Sequence, residues 1–137
     1  MPDKYIQPST SSSELRQLAL DHNWDDGFAI PRLIADHPNC DLAVALELFW
    51  LADADTVYLG EARESPRNAQ WRQFSKELAD RIIGGHYSTG MVPFEPPLTA
   101  VQIYNLRKKG LPEIFLTSLA ACGPNNSFKP NPLRGSA

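Results

Sequence analysis

Apolar residues recur at helical spacing along most of the chain, and polar or proline-rich stretches separate the runs. Residues 1–10 carry Pro2 and Pro8 without periodicity and read as a flexible lead-in. Ser11 followed by Glu14 is a capping-box pattern, in which each side chain takes up the other residue's backbone N–H. Leu15, Leu18 and Ala19 place one apolar face behind it, which predicts a first helix ending near Asp21 or His22. In "NWDDGFAIPRLIADHP", Asp25 or Asp26 is the expected cap of a second helix with Phe28, Ile30, Leu33 and Ile34 inward. Pro31 then falls in its first turn, where a missing N–H is tolerated, and Pro38 stops it. Asp41 stands at the N-cap position of a third helix over residues 42–52. Glu47 is the only polar residue in that span, as expected of a domain's central helix.

The pattern then loosens. "DADTVYLGEARE" reads as a connection with a short extended piece at Val57, Tyr58 and Leu59. Ser65 and Pro66 open a fourth helix through Trp71, Phe74, Leu78 and Ile82, closed at Gly84 and Gly85. A proline-rich loop, "HYSTGMVPFEPPL", follows, and Thr99 caps a fifth helix over residues 100–109. Three cations in its last turn suit the negative end of the helix dipole. Pro112 begins a short sixth helix to about residue 121. The expected fold is an all-α orthogonal bundle of five or six helices in one domain over residues 11–122. Residues 123–137 are expected to be a disordered tail. Trp24, Phe28, Leu46, Phe49, Trp71, Phe74, Ile103 and Phe115 are the candidate core.

Composition narrows the classes. A hydrophobic content of 42% and a charged content of 21% are ordinary globular values, so a packed core needs no staples. A formal charge of −3 argues against a general nucleic-acid binder. Charge is uneven: from Val101 onward five cations face the single carboxylate Glu113. The N-terminus has no apolar signal-peptide core, and no run approaches the roughly 20 apolar residues of a membrane span. Cys40 and Cys122 lack disulfide-framework or C-x-x-C spacing. The expected setting is cytoplasmic, with reduced thiols, no membrane and no nucleic acid. The glycosylation pattern at Asn125 to Ser127 is then only formal.

The block "HNWDDGFAIPRLIADHPNCDLAVALELFW", with "GHYSTG" and "GLPEIFL", resembles a bacterial family, domain of unknown function 4274. Its signature falls on Trp24 to Phe28, His37 to Asp41 and Phe49, and the resemblance spans roughly residues 14–118. It implies no activity. The tail "NNSFKPNPLRGSA" resembles a translated recombination site of the kind that ends mobile gene cassettes in integrons. That resemblance implies that Lys129 and Arg134 reflect DNA folding rather than a partner site. It also implies an accessory gene: resistance, toxin–antitoxin, phage defence or another role.

Candidate chemistry concentrates before the third helix. Cys40 at a helix N-terminus, with His37 or His22 as base and Asp25 nearby, is the best constellation for a small hydrolase or transferase. His-x-x-Cys spacing also suits two zinc ligands, but no second ligand pair exists, and Asp25, Asp26 and Asp41 have capping duties. No metal and no cofactor are expected. Glu47 shares a helical face with Ala43, Trp50 and Ala54, and that face is expected to touch solvent. "TAVQIYNLRKKGLPEIFLTSLA" hints at helix-turn-helix, yet its second helix offers Glu113, Ile114, Phe115 and Leu116 where base-reading polar residues belong. Trp50, Tyr58, Met91 and Phe94 lack an obvious core duty and are candidate partner anchors. Protein binding or self-association, in an antitoxin-like, immunity-like or defence role, is therefore preferred to catalysis.

Overall fold

A computed structural model of the protein describes residues 6–90 and 92–119. The described residues form six α-helices: α1 (Ser12–Asp21), α2 (Ala29–Asp36), α3 (Leu42–Leu51), α4 (Ala54–Tyr58), α5 (Ala69–Ile83) and α6 (Ala100–Lys108). There is no sheet among them, and the all-α bundle in one compact domain is confirmed. Met91 and residues 120–137, including Cys122 and the cassette-like tail, lie outside the described residues.

Local sequence signals set three helix starts. Ser11 and Glu14 form the expected capping box, with Glu14 N–H donating to Ser11 Oγ and Ser11 N–H to Glu14 Oε1. Asp41 Oδ1 accepts from Val44 N–H at 3.0 Å and opens α3. Thr99 and Gln102 form a second capping box at α6. Helix α5 is preceded by a 3₁₀ turn, Pro66–Asn68, so the Ser65–Pro66 start is displaced by a few residues.

Helix α3 is the hub. Seven of its ten residues are buried, as its apolar sequence demands, and α1, α2, α4 and α5 all pack on it. Phe49 stacks on Phe115 with ring centroids 4.2 Å apart, closing the core from the C-terminal side. Trp24, Phe28 and Phe74 form a second aromatic group beneath α2 and α5. Of the candidate core residues, Leu46, Phe49, Phe74 and Phe115 are buried, and Trp24, Phe28 and Ile103 pack partly buried against them. Trp71 is half-buried, with its indole N–H donating to the Ala52 carbonyl at 2.6 Å.

Leu33, expected inward, is 38% exposed, and four further expectations are corrected. Asp25 and Asp26 do not cap α2. They are exposed within a 3₁₀ turn, Trp24–Asp26, capped by Asn23, and Gly27 at φ 97° separates that turn from the helix. Residues 57–59 are not extended: Ala54 and Val57 are one helical turn apart, and burying both against α3 and α5 overrides the strand preference of Val57. The sixth helix shrinks to a 3₁₀ turn, Glu113–Leu116, because Thr117 turns back to the Glu113 carbonyl and Leu119 pairs with Phe94 in an antiparallel bridge. The fourth correction concerns the Glu47 face, where Ala43, Trp50 and Ala54 are all buried. Helix α1 packs on α3, and Arg16 of α1 reaches Glu47 across that contact at 3.3 Å.

Candidate functional site

The α3 junction holds His37, Cys40 and Asp41, and the fold uses most of their polar atoms, whereas His22 and Asp25 belong to the connection between α1 and α2. His37 is buried; its Nδ1 accepts the Asn39 N–H at 2.9 Å, and its Nε2–H donates to the Gln7 carbonyl at 2.7 Å. Because a backbone N–H already points at Nδ1, the proton of the neutral ring resides on Nε2. Both nitrogens are thus occupied, Nε2 in tying the lead-in to the end of α2 and Nδ1 in the local turn to Asn39. Cys40 is buried next to them, and the closest polar partner of its Sγ is the Asp41 carbonyl at 3.8 Å. Burial and then the Asp41 charge push this thiol up to about 12, so the thiolate is disfavoured despite the helix N-terminus. No hydrogen bond joins the Cys40 thiol to the His37 or His22 ring; Cys40 meets His37 only through its backbone N–H, which donates to the His37 carbonyl at 3.0 Å. His22 sits apart, with Nε2 at 2.9 Å from the Gly27 carbonyl and its ring edge-on to Trp24.

A loop missed as a functional element fastens this junction. Leu42 N–H donates to the Ser88 carbonyl at 2.8 Å, and Gly90 lies against Asp41. A Cβ on Gly90 would stand 2.4 Å from Asp41 Oδ2, an oxygen that is buried and has no hydrogen-bond partner. "GHYSTG" therefore reads as a clamp on the start of α3. Tyr87 of the same loop is buried with its hydroxyl on the Ala35 carbonyl, and Arg81 joins Tyr87 to Asp36. Burial pushes the Tyr87 phenol up, against the opposing pull of Arg81. Nothing in the sequence pattern announces this group, because its members come from three separate segments.

Three hollows lie among the described residues. A cavity of about 10 Å³ among Arg32, Asp36, Glu77 and Arg81 would hold at most one water. Two larger hollows lie open to solvent, one along residues 7–18 and one beside Phe28, Arg32, Gln70 and Gln73. Among the described residues no three His, Cys, Asp or Glu side chains converge as a metal would require. No helix among them is long and apolar enough to cross a membrane.

The proposed anchors fare differently. Trp50 is 8% exposed and its indole N–H donates to the Phe115 carbonyl at 3.1 Å, so its duty lies in the core. Phe94 is buried and paired through its backbone with Leu119. Tyr58 is exposed on one side and leans on Phe115 with the other. Met91 falls outside the described residues. The most exposed large apolar side chains among the described residues are two that were passed over, Val101 at 67% and Tyr104 at 59%. They lie one turn apart on α6, a helix that touches the other helices only sparsely and buries Leu106. The Lys108 ammonium stands 5.4 Å from the Tyr104 ring centroid. Arg107 is paired with Glu113 and Lys109 with Glu61, whereas Lys108 has no carboxylate partner among the described residues.

Fold and site together define a small helical domain with a polar junction bound largely to its own backbone and with α6 presenting its most exposed apolar side chains. The family model described as Domain of unknown function (DUF4274) matches residues 10–83, and the chain belongs to that family. The match runs through α1 to the last residue of α5, so "GHYSTG", "GLPEIFL" and α6 lie beyond it. Neither the curated proteins nor the solved structures yield a match.

Proposed function

We propose that the protein is a protein-interaction module that works through the outer face of α6. The observation that carries this reading is the joint exposure of Val101 and Tyr104 on a helix with little packing behind it. An aromatic ring on a rigid helix, rimmed by Lys108 and Gln102, is the kind of side chain that dominates binding energy when a partner covers it. The resemblance of the tail to a cassette recombination site supports an accessory role of the antitoxin, immunity or defence type. A cysteine hydrolase has less support, because Cys40 is buried and His37 is engaged at both ring nitrogens.

The test compares the full chain with Val101→Ser/Tyr104→Ser. Both substitutions are at exposed helix positions, so melting is expected to shift by no more than about 0.5 kcal/mol in stability. Proteins captured from the host, or self-association of the purified chain, should be lost with the variant. Undiminished capture and association by the variant would remove α6 as the interaction face.

A further inference from the structure

We propose that the occupant of the α6 face is a second copy of this chain, with Tyr104 set on Ile83 and Lys108 at Asp80 of the neighbouring α5. This rests on the reading of α6 as an interaction face and names what covers it. Three observations lead there.

Charge comes first. Residues 6–100 hold seven cations against fourteen carboxylates, whereas residues 101–119 hold Arg107, Lys108 and Lys109 against Glu113. Arg107 and Lys109 already pair with Glu113 and Glu61, so this end offers Lys108 to the acidic body of a neighbouring copy, and the two are electrostatically complementary there. The second observation is a matching exposed pair. Ile83, the last residue of α5, is 47% exposed, and Asp80 one turn earlier is exposed with no ion-pair partner among the described residues. The third is access. Gly84 and Gly85 follow directly and are exposed, and a Cβ placed on Gly85 would meet nothing within 4 Å. Among the described residues, nothing therefore crowds an approaching helix at Gly85.

Spacing fits the two pairs to each other. Tyr104 and Lys108 are four residues apart, about 6 Å along α6, and Asp80 and Ile83 are three apart, about 4.5 Å along α5. With the helices antiparallel, the aromatic ring meets Ile83 while the ammonium reaches Asp80. Lys108 then exchanges a solvated position over the Tyr104 ring for a carboxylate beside it. Two such short faces bury less than the roughly 800 Å² per partner of a standard stable interface, so the association is weak and depends on concentration.

Sedimentation equilibrium of the purified full chain, up to about 1 mM, measures it. The average mass should rise above the monomer, and about 0.5 M salt should lower it. Asp80→Lys and Lys108→Glu should each weaken association roughly tenfold, and the chain carrying both should regain it. All four positions are exposed, and unchanged melting of every variant shows that the fold is intact. A strictly monomeric chain, or charge reversals without effect, or a double reversal as weak as the singles, would overturn the proposal. If Val101→Ser/Tyr104→Ser nonetheless loses a captured protein, the α6 face stands and only its occupant is wrong.

Discussion

The α3 junction and the α6 outer face are both short helical segments flanked by charge, yet they treat their side chains in opposite ways. At the junction, His37, Asn39 and Ser12 are joined to backbone groups of distant segments, Asp41 caps α3 locally, and the thiol is buried among them. On α6, a valine and a tyrosine face solvent, and the nearest cation has only an aromatic ring beside it. Reactive residue types therefore mark the structural seam, while ordinary residue types mark the free surface. A side chain is available for function when its binding capacity is unused, and its chemical reputation says little about that.

Trp50 gives the largest way to break this comparison. If it belongs to the core, Trp50→Ala removes a buried indole and leaves the Phe115 carbonyl without its donor. The expected loss is ~3–5 kcal/mol of stability, measured by chemical denaturation. An indole serving only as a partner anchor would leave the denaturation midpoint where it was. The next effect is smaller and tests the clamp. Gly90→Ala forces a methyl onto Asp41 Oδ2 and should cost about 1–3 kcal/mol. Asp41→Ala alone loses the α3 cap, about 1 kcal/mol, but it also clears the space. The double variant should therefore be more stable than the sum of the single losses indicates. Simple additivity in that cycle would mean that the loop relaxes away from α3 and that no clamp exists.

How much of this was legible depended on whether a residue's partner was near in sequence. Ser11 with Glu14, Asp41 with Val44, and Thr99 with Gln102 are satisfied within three positions, and their helix starts could be read directly. Helix α3 was legible because an apolar decamer has only one place to go. Helix α4 was not: its sequence is short and mixed, and it is helical because α5 and α3 bury Ala54 and Val57. Glu47 was misread because its partner Arg16 belongs to another helix. Helix α6 illustrates the same limit. Val101 and Tyr104 are spaced like Ile103 and Leu106, so either pair could face inward on pattern alone. Leu106 is buried and Ile103 half-buried, which leaves the other pair outside. The site was invisible in the sequence for that reason, while most of the fold was not.

The last test concerns Cys40, whose ionisation has a negligible effect at neutral pH and separates a buried thiol from a poised one by its pH dependence. The folded thiol ionises near 12, above its ordinary value of 9.0, because burial and the Asp41 charge oppose the thiolate. In the unfolded chain the same group ionises at its ordinary value. Its contribution to stability is therefore fully present below pH 9 and is lost as pH rises from there towards 12. Tyr87, also raised by burial, adds a loss of the same sign at the alkaline end, beginning above its ordinary value of 10.0. Cys40→Ala should accordingly flatten the fall in melting temperature just above pH 9 and leave the later, phenolic part. Its effect below pH 8 should be the pH-independent consequence of a lost sulfur atom. A thiol activated by the α3 N-terminus would behave oppositely. Its folded pKa would lie below 9, stability would rise as pH passed through that value, and Cys40→Ala would remove the rise. Melting curves of the two proteins between pH 7 and 11 decide between a seam and a nucleophile at the one residue where both were credible.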